Sequence, residues 1–282
     1  MVENRPFANL AAHVILWLGI AVVAFPVYLT FVASTHEPID IVNGTMGLLP
    51  GGVPFQNYAD ALFAGTKQIK STPVLQMMGN SLVMALAIAL GKIAISIISA
   101  YAVVFFRFPF RMFFFWMIFV TLMLPVEVRI YPTYKIVSDL GMLNTYAGLT
   151  IPLIASATAT LLFRQVFLTI PDELVEAAKI DGAGPMKFFR DVVLPLSRTN
   201  MAALFVILFI YGWNQYLWPL LVTTDSSMDT IVYGIRRMIV TSDANTDWHI
   251  VMATTMLAML PPVFVVFAMQ KLFVKGLVET EK

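Results

Sequence analysis

PDELVEAAKIDGAGPMKFFRDVVLP, residues 171–195, is a charge-rich run between apolar segments, ordered like a docking element. Pro171 suits the first helical position, and Asp172 and Glu173 put negative charge at the positive end of the helix dipole. A short helix is expected from there to about Ile180. Gly182 supplies the left-handed residue that ends it, and Pro185 opens a second helical stretch through Met186 to Val192 that Pro195 stops. Leu174, Ala177 and Ala178 give the first helix an apolar face too small to form a core. Such a face fits a groove on another protein or lies on a membrane surface, and periodicity leaves the two equally open.

The rest of the chain reads as membrane. Of its 282 residues, 59% are hydrophobic and 12% charged, against about a quarter charged in an ordinary soluble domain. Mean hydropathy is +0.80. A soluble fold of this size would have to display more polar surface than this composition supplies. The net charge of +1 gives no electrostatic basis for nucleic-acid binding, and none is expected. With zero cysteines there are no disulfides or thiolate metal sites, and His13, His36 and His249 lack a ligand spacing such as HExxH. Neither a metal nor a catalytic residue is expected.

A bilayer core is crossed by about 20 apolar residues. The predicted fold is therefore an all-α membrane protein, one transmembrane domain over residues 1–282, with six spans at about 14–33, 81–106, 113–134, 146–167, 201–222 and 251–273. The first run is longer than the apolar stretch of a signal peptide and lacks a small-x-small end, so it reads as a span. Lys and Arg set the orientation. Arg5, Arg107, Arg111, Arg164, Lys179, Lys187, Arg190, Arg198, Lys271, Lys275 and Lys282 fall on one side, against Lys67, Lys70, Lys135, Arg236 and Arg237 on the other. Both termini are thus expected in the cytoplasm, with membrane lipid around the spans.

The outer loop 34–80 is rich in Gly and Pro and is compatible with extended or short helical structure. The loop 223–249, with Asp225, Asp229, Asp243, Asp247, Arg236 and Arg237, reads as a solvated segment. Pro125 and Pro132 interrupt the third span, Pro152 the fourth, Pro219 the fifth and Pro261 with Pro262 the sixth. Bent helices in a small bundle are the sign of a moving path, because neighbours or a cavity must satisfy the freed carbonyls. Small residues at 155–160 put the fourth span inside the bundle.

Glu176-Ala177-Ala178, Gly182 after three intervening residues, then Val192, Leu194 and Pro195 resemble the E-A-A-x3-G-x9-I-x-L-P motif of ABC importer permeases. Val192 in place of Ile is the one departure. The chain is similar over nearly its whole length to carbohydrate-type, binding-protein-dependent permeases, the group that includes the maltose permease. Residues 114–150, 156–167 and 205–221 carry a closer likeness to members that move sn-glycerol-3-phosphate. The resemblance implies a type I importer permease with residues 171–195 as its cytoplasmic coupling loop. Glu176, Ala177, Ala178, Asp181, Gly182, Leu194 and Pro195 would be the ATPase-docking residues. It also implies a heterodimer with a second homologous permease, two ATPase subunits that hold ATP and Mg2+, and a periplasmic solute-binding protein. No GxxxxGK[ST] loop occurs in the chain, so ATP hydrolysis is expected elsewhere and no cofactor here.

For the solute path, the stretch with Tyr211, Trp213, Asn214, Gln215 and Tyr216 offers aromatics beside amides, which stack on a polyol and hydrogen-bond its hydroxyls. The amides are costly facing lipid, whereas Trp218 reads as part of an interfacial belt. Glu127 and Arg129 are intramembrane charges and further path candidates; mutual structural pairing is the preferred account, although an arginine is also a natural phosphate ligand. Lys92 receives no role. An ion-coupled transporter calls for buried carboxylates and inverted repeats, and an intramembrane enzyme for a nucleophile turn such as GxSxG. Neither pattern is found.

Overall fold

Apolar runs of this length become helices because in lipid every backbone N–H and C=O needs a partner within its own segment. The structure is a computed structural model that describes residues 6–65, 72–239 and 246–278. Among the described residues every regular element is helical: α1 Pro6–Ala33, α2 Pro38–Val42, α3 Pro54–Phe63, α4 Val74–Phe105, α5 Arg111–Val120, α6 Val126–Asp139, α7 Tyr146–Thr150, α8 Ala157–Leu168, α9 Asp172–Ile180, α10 Pro185–Phe188, α11 Leu194–Leu196, α12 Arg198–Trp213, α13 Leu217–Val222, α14 Ile231–Met238 and α15 Trp248–Val278.

Among the described residues three stretches are single helices long and apolar enough to cross a membrane, Asn9–Ala33, Val74–Phe105 and Trp248–Lys271. They answer the first, second and sixth predicted spans. The other three are not continuous helices. Residues 113–134 fall on α5, a 3-10 turn Thr121–Met123 and α6. Leu124 there is extended (ψ 115), as a residue before proline tends to be. The fourth span is α7, continued by the 3-10 turn Ile151–Leu153 that contains Pro152, and α8, with a bend of 48° at the break between Leu153 and Ala157. The fifth ends its first helix at Trp213 and resumes at Leu217. Pro219 sits in the first turn of α13, where its missing N–H costs nothing, so the break precedes it rather than following from it.

The chain divides into two compact units, Met1–Leu75 with Gly234–Met259 and Gln76–Tyr233 with Leu260–Lys282. In the first, α2 and α3 fold under the end of α1. The Asn57 amide donates to the carbonyls of Ser34 (3.0 Å) and His36 (2.9 Å), and Gly51 N–H donates to Thr35 Oγ1 (2.7 Å). The loop after α1 therefore holds short helices, one of the alternatives the sequence left open. In the second unit Met84, Ile88, Val137, Leu149, Trp218 and Val222 form a core joining α4, α6, α7 and α13.

The loop after α13 is solvated in part: Asp225, Arg236 and Arg237 are exposed, as its charges suggest, but its backbone is tied down. Asp229 is 3% exposed. Asn80 Nδ2 donates to the carbonyls of Ser227 and Asp229 (2.9 Å each), and Ile231 N–H donates to Ser81 Oγ (2.7 Å). Asn144, in a left-handed conformation (φ 55), accepts from the N–H groups of Thr224 (2.7 Å) and Asp225 (2.9 Å) and donates its own N–H to Val222 O (3.0 Å). Asp225 in turn accepts from Ser227 N–H (2.9 Å), which holds its carboxyl below the ordinary carboxylate range. Residues 240–245, Asp243 among them, lie outside the described residues.

Candidate functional site

Helix α9 ends at Ile180 as the sequence predicts, with Pro171 one position earlier than expected, at the N-cap (ψ 140). Its C-terminus closes by backbone bonds alone. Gly182 takes φ +67, its N–H donates to Lys179 O (3.1 Å), and Ala183 N–H donates to Ala178 O (2.8 Å). That is the paired closure for which a left-handed glycine is the usual residue. No residue of α9 is buried; Leu174 is 41% and Ile180 86% exposed. Glu176, Ala177, Asp181 and Gly182 are also exposed, whereas Ala178 is half-buried. Ala178 and Val175, one turn apart, line a groove of about 360 Å3 with Tyr101, Phe105, Pro185 and Phe188. The apolar face predicted as one patch is thus divided, Ala178 turned toward the chain's own helices and Leu174 and Ala177 outward.

The exit of α9 is tied to α4. Tyr101 Oη donates to Pro185 O (2.7 Å), and the Tyr101 ring lies 4.8 Å from that of Phe189. Phe105 meets Phe188 edge-on at 5.3 Å. Pro195 does not stop this second stretch: α10 passes through a π turn, Phe189–Val193, into α11. A π turn ahead of a proline lets the helix absorb the missing N–H. Leu194 is half-buried and Pro195 exposed, and the bend of 70° comes between α11 and α12.

The path candidates separate by exposure. Tyr211 (39%) and Tyr216 (37%) are exposed, as is Asn214. Gln215 spends its amide N–H on Tyr211 O (3.1 Å). Trp213 is 2% exposed and stacks on Phe209 at 5.9 Å, a packing residue rather than an open stacking platform. It follows Gly212, where an added Cβ would stand 2.8 Å from Ala85 Cα, so α12 and α4 touch backbone to backbone. Trp218 is not in an interfacial belt: it is 4% exposed and donates Nε1–H to Gly148 O (3.0 Å). Arg129 is exposed on α6. The Glu127 side chain lies outside the described residues, so its pairing with Arg129 does too.

Sequence reasoning gave Lys92 no place. It is 7% exposed, with Nζ 3.9 Å from the centroid of the Tyr211 ring. The amides of Asn80 and Asn144 were also passed over. Their signal was an isolated amide at the start of an apolar run and an Asn just after a Gly turn, both common enough to say little alone.

The model of the binding-protein-dependent transport system inner membrane component family matches residues 92–279, which take in α9 and the bundle around it. The chain belongs to this family. It is 63% identical over its full 282 residues to the whole of the sn-glycerol-3-phosphate transport system permease protein UgpE of Brucella melitensis. The proteins of the same name from Rhizobium meliloti and Salmonella typhi are 61% and 57% identical, again over the full length of both chains. Among solved structures, a bacterial ABC transporter involved in import of the acidic polysaccharide alginate superimposes with a TM-score of 0.80 over 96% of this chain and 98% of that one. At 19% identity that likeness carries the fold alone. The all-helical permease architecture expected from the sequence is the one found.

Proposed function

We propose that this chain is a transmembrane permease subunit of an ATP-driven importer that moves sn-glycerol-3-phosphate across the inner membrane. The observation that carries the solute is the full-length identity of 63% to a permease of that name. The chain works as one six-span permease domain with both termini in the cytoplasm, the broken helix pairs each counting as a span. It pairs with a second, homologous permease. Two separate ATPases bind ATP and Mg2+ and hydrolyse it, and a periplasmic binding protein delivers the solute.

Helix α9 is the coupling helix. Its support is physical: an amphipathic helix with no buried residue, closed by its own backbone and bonded at its exit to α4, is a rigid projection whose outer face, with Leu174 and Ala177, no described residue buries. Glu176 offers a carboxylate to a basic group of the ATPase, and Ala177 permits close approach. A push on α9 passes through Pro185 to Tyr101 of α4 and through the π turn to α12, where the helices are broken and free to pivot. The open face near Tyr211, Asn214 and Tyr216 belongs to the solute path.

The test is uptake by the assembled transporter in a strain without its own glycerol-3-phosphate system. ATP-dependent import of sn-glycerol-3-phosphate, with maltose a poor competitor, is expected; uptake of a neutral sugar and none of the phosphate ester would overturn the solute assignment.

A further inference from the structure

Lys92 is a cation in the middle of a membrane helix, 93% buried by the complement of its 7% exposure. A charge is kept at such depth where it meets a partner or lines a path. Among the described residues no carboxylate lies within salt-bridge distance of it and its Nζ makes no hydrogen bond; what it meets is the face of Tyr211, 3.9 Å away. An aromatic face holds an ammonium in position and neutralises none of its charge, and it leaves the three N–H donors to find acceptors elsewhere. The nearest charge on a neighbouring helix is also positive: Arg129 on α6 adjoins Ile130, which packs against the core that holds Ile88, one turn before Lys92. Arg129 and Tyr211 are both exposed, so the pair opens outward from the chain. Among the described residues neither cation has a carboxylate partner.

We propose that Lys92 and Arg129 form the phosphate subsite of the translocation path, with Tyr211 fixing the Lys92 ammonium. A phosphomonoester dianion satisfies both: one oxygen takes the ammonium donors as a point charge, and two others take the planar fork of the guanidinium. A neutral sugar meets two uncompensated charges instead, which makes the pair specificity-determining as well as binding. This rests on the solute reading above.

The experiment uses the whole transporter in proteoliposomes with binding protein and ATP, measuring sn-glycerol-3-phosphate uptake beside ATP hydrolysis. Lys92→Gln is expected to lower the maximal uptake rate about tenfold or more, the worth of one charge-assisted hydrogen bond. ATP hydrolysis and the KM, which the binding protein sets, stay near wild type. Lys92→Arg keeps the charge and restores most of the rate. Arg129→Gln, an exposed position, falls in the same direction without loss of protein. Wild-type uptake by Lys92→Gln overturns the subsite, as does a Lys92→Arg variant as poor as Lys92→Gln with hydrolysis falling in parallel, the mark of a packing role. Should Lys92→Gln fail to reach the membrane, Arg129→Gln decides, and a wild-type rate from it overturns the subsite. A wild-type transporter that imports no glycerol-3-phosphate removes the solute reading and the subsite together; import unaffected by either variant removes the subsite alone.

Discussion

Replacing Glu176 with lysine and Gly182 with proline is expected to abolish solute uptake while the chain stays in the membrane at its normal level. Gly182 sits at φ +67 and its N–H bonds Lys179 O at 3.1 Å. Proline locks φ near −65° and has no N–H, so Gly182→Pro reverses the chain direction just past α9 and removes half of the helix closure. Glu176→Lys inverts the charge on the exposed face. Truncating or mismatching a desolvated charge pair at an interface costs about 2–5 kcal/mol, and about 2.7 kcal/mol is already a hundredfold in affinity. Because α9 buries no residue, neither change touches the membrane core, and folding is spared. Uptake should fall about a hundredfold, while the partner ATPases hydrolyse ATP without regard to loaded binding protein. Wild-type uptake at normal protein level would refute the docking role of α9.

Gly148→Ala is expected to be among the most damaging single-methyl additions in the chain. A Cβ at Gly148 would stand 2.1 Å from Met142 O and 3.1 Å from Met142 C. Both are backbone atoms, and the turn that carries them cannot swing away. Met142 N–H is bonded to Val137 O (2.9 Å), and Asn144 is pinned to the loop after α13. Moving α7 instead would pull Gly148 O from Trp218 Nε1 and open the core around Leu149. Overpacking costs about 1–3 kcal/mol and the lost buried hydrogen bond about 1 more, together roughly 2–4 kcal/mol. Thermal unfolding of the purified transporter and the amount of chain in the membrane both report it. A variant as stable as wild type would mean that the turn and α7 do not meet as closely as described.

Hydropathy made α1, α4 and α15 legible because a continuous apolar run in lipid has one solution, a helix. It did not show where the third and fifth spans break because a window of mean hydropathy is blind to direction. Thr121–Met123 costs the window almost nothing and the amides Asn214 and Gln215 are averaged away by their apolar flanks, yet both stretches let the chain turn. Prolines marked the right regions and the wrong bonds: Pro219 is accommodated in a first turn and Pro195 after a π turn. Helix α9 is legible to within a residue because its signals are local, an acidic first turn and a glycine in a left-handed cap. Trp218, Lys92, Asn80 and Asn144 are misplaced or passed over for the opposite reason. The first, third and fourth meet their partners some 70 to 150 positions away in sequence, and Lys92 meets Tyr211 across a separation within that range. No short spacing encodes such pairs. In the loop with Asp225 and Asp229 the exposed charges were legible, whereas the burial of Asp229 was not, because the amides that tie its backbone down are in other segments.

The sequence left α9 between two fates, a groove on another protein and the membrane surface. Ile180, 86% exposed, is the position that separates them. With p-benzoyl-phenylalanine in place of Ile180 in the assembled transporter, irradiation should join this chain to the ATPase subunit, and the yield should depend on Glu176. Adducts to lipid alone, with the ATPase present and the transporter active, would contradict a coupling role for this helix.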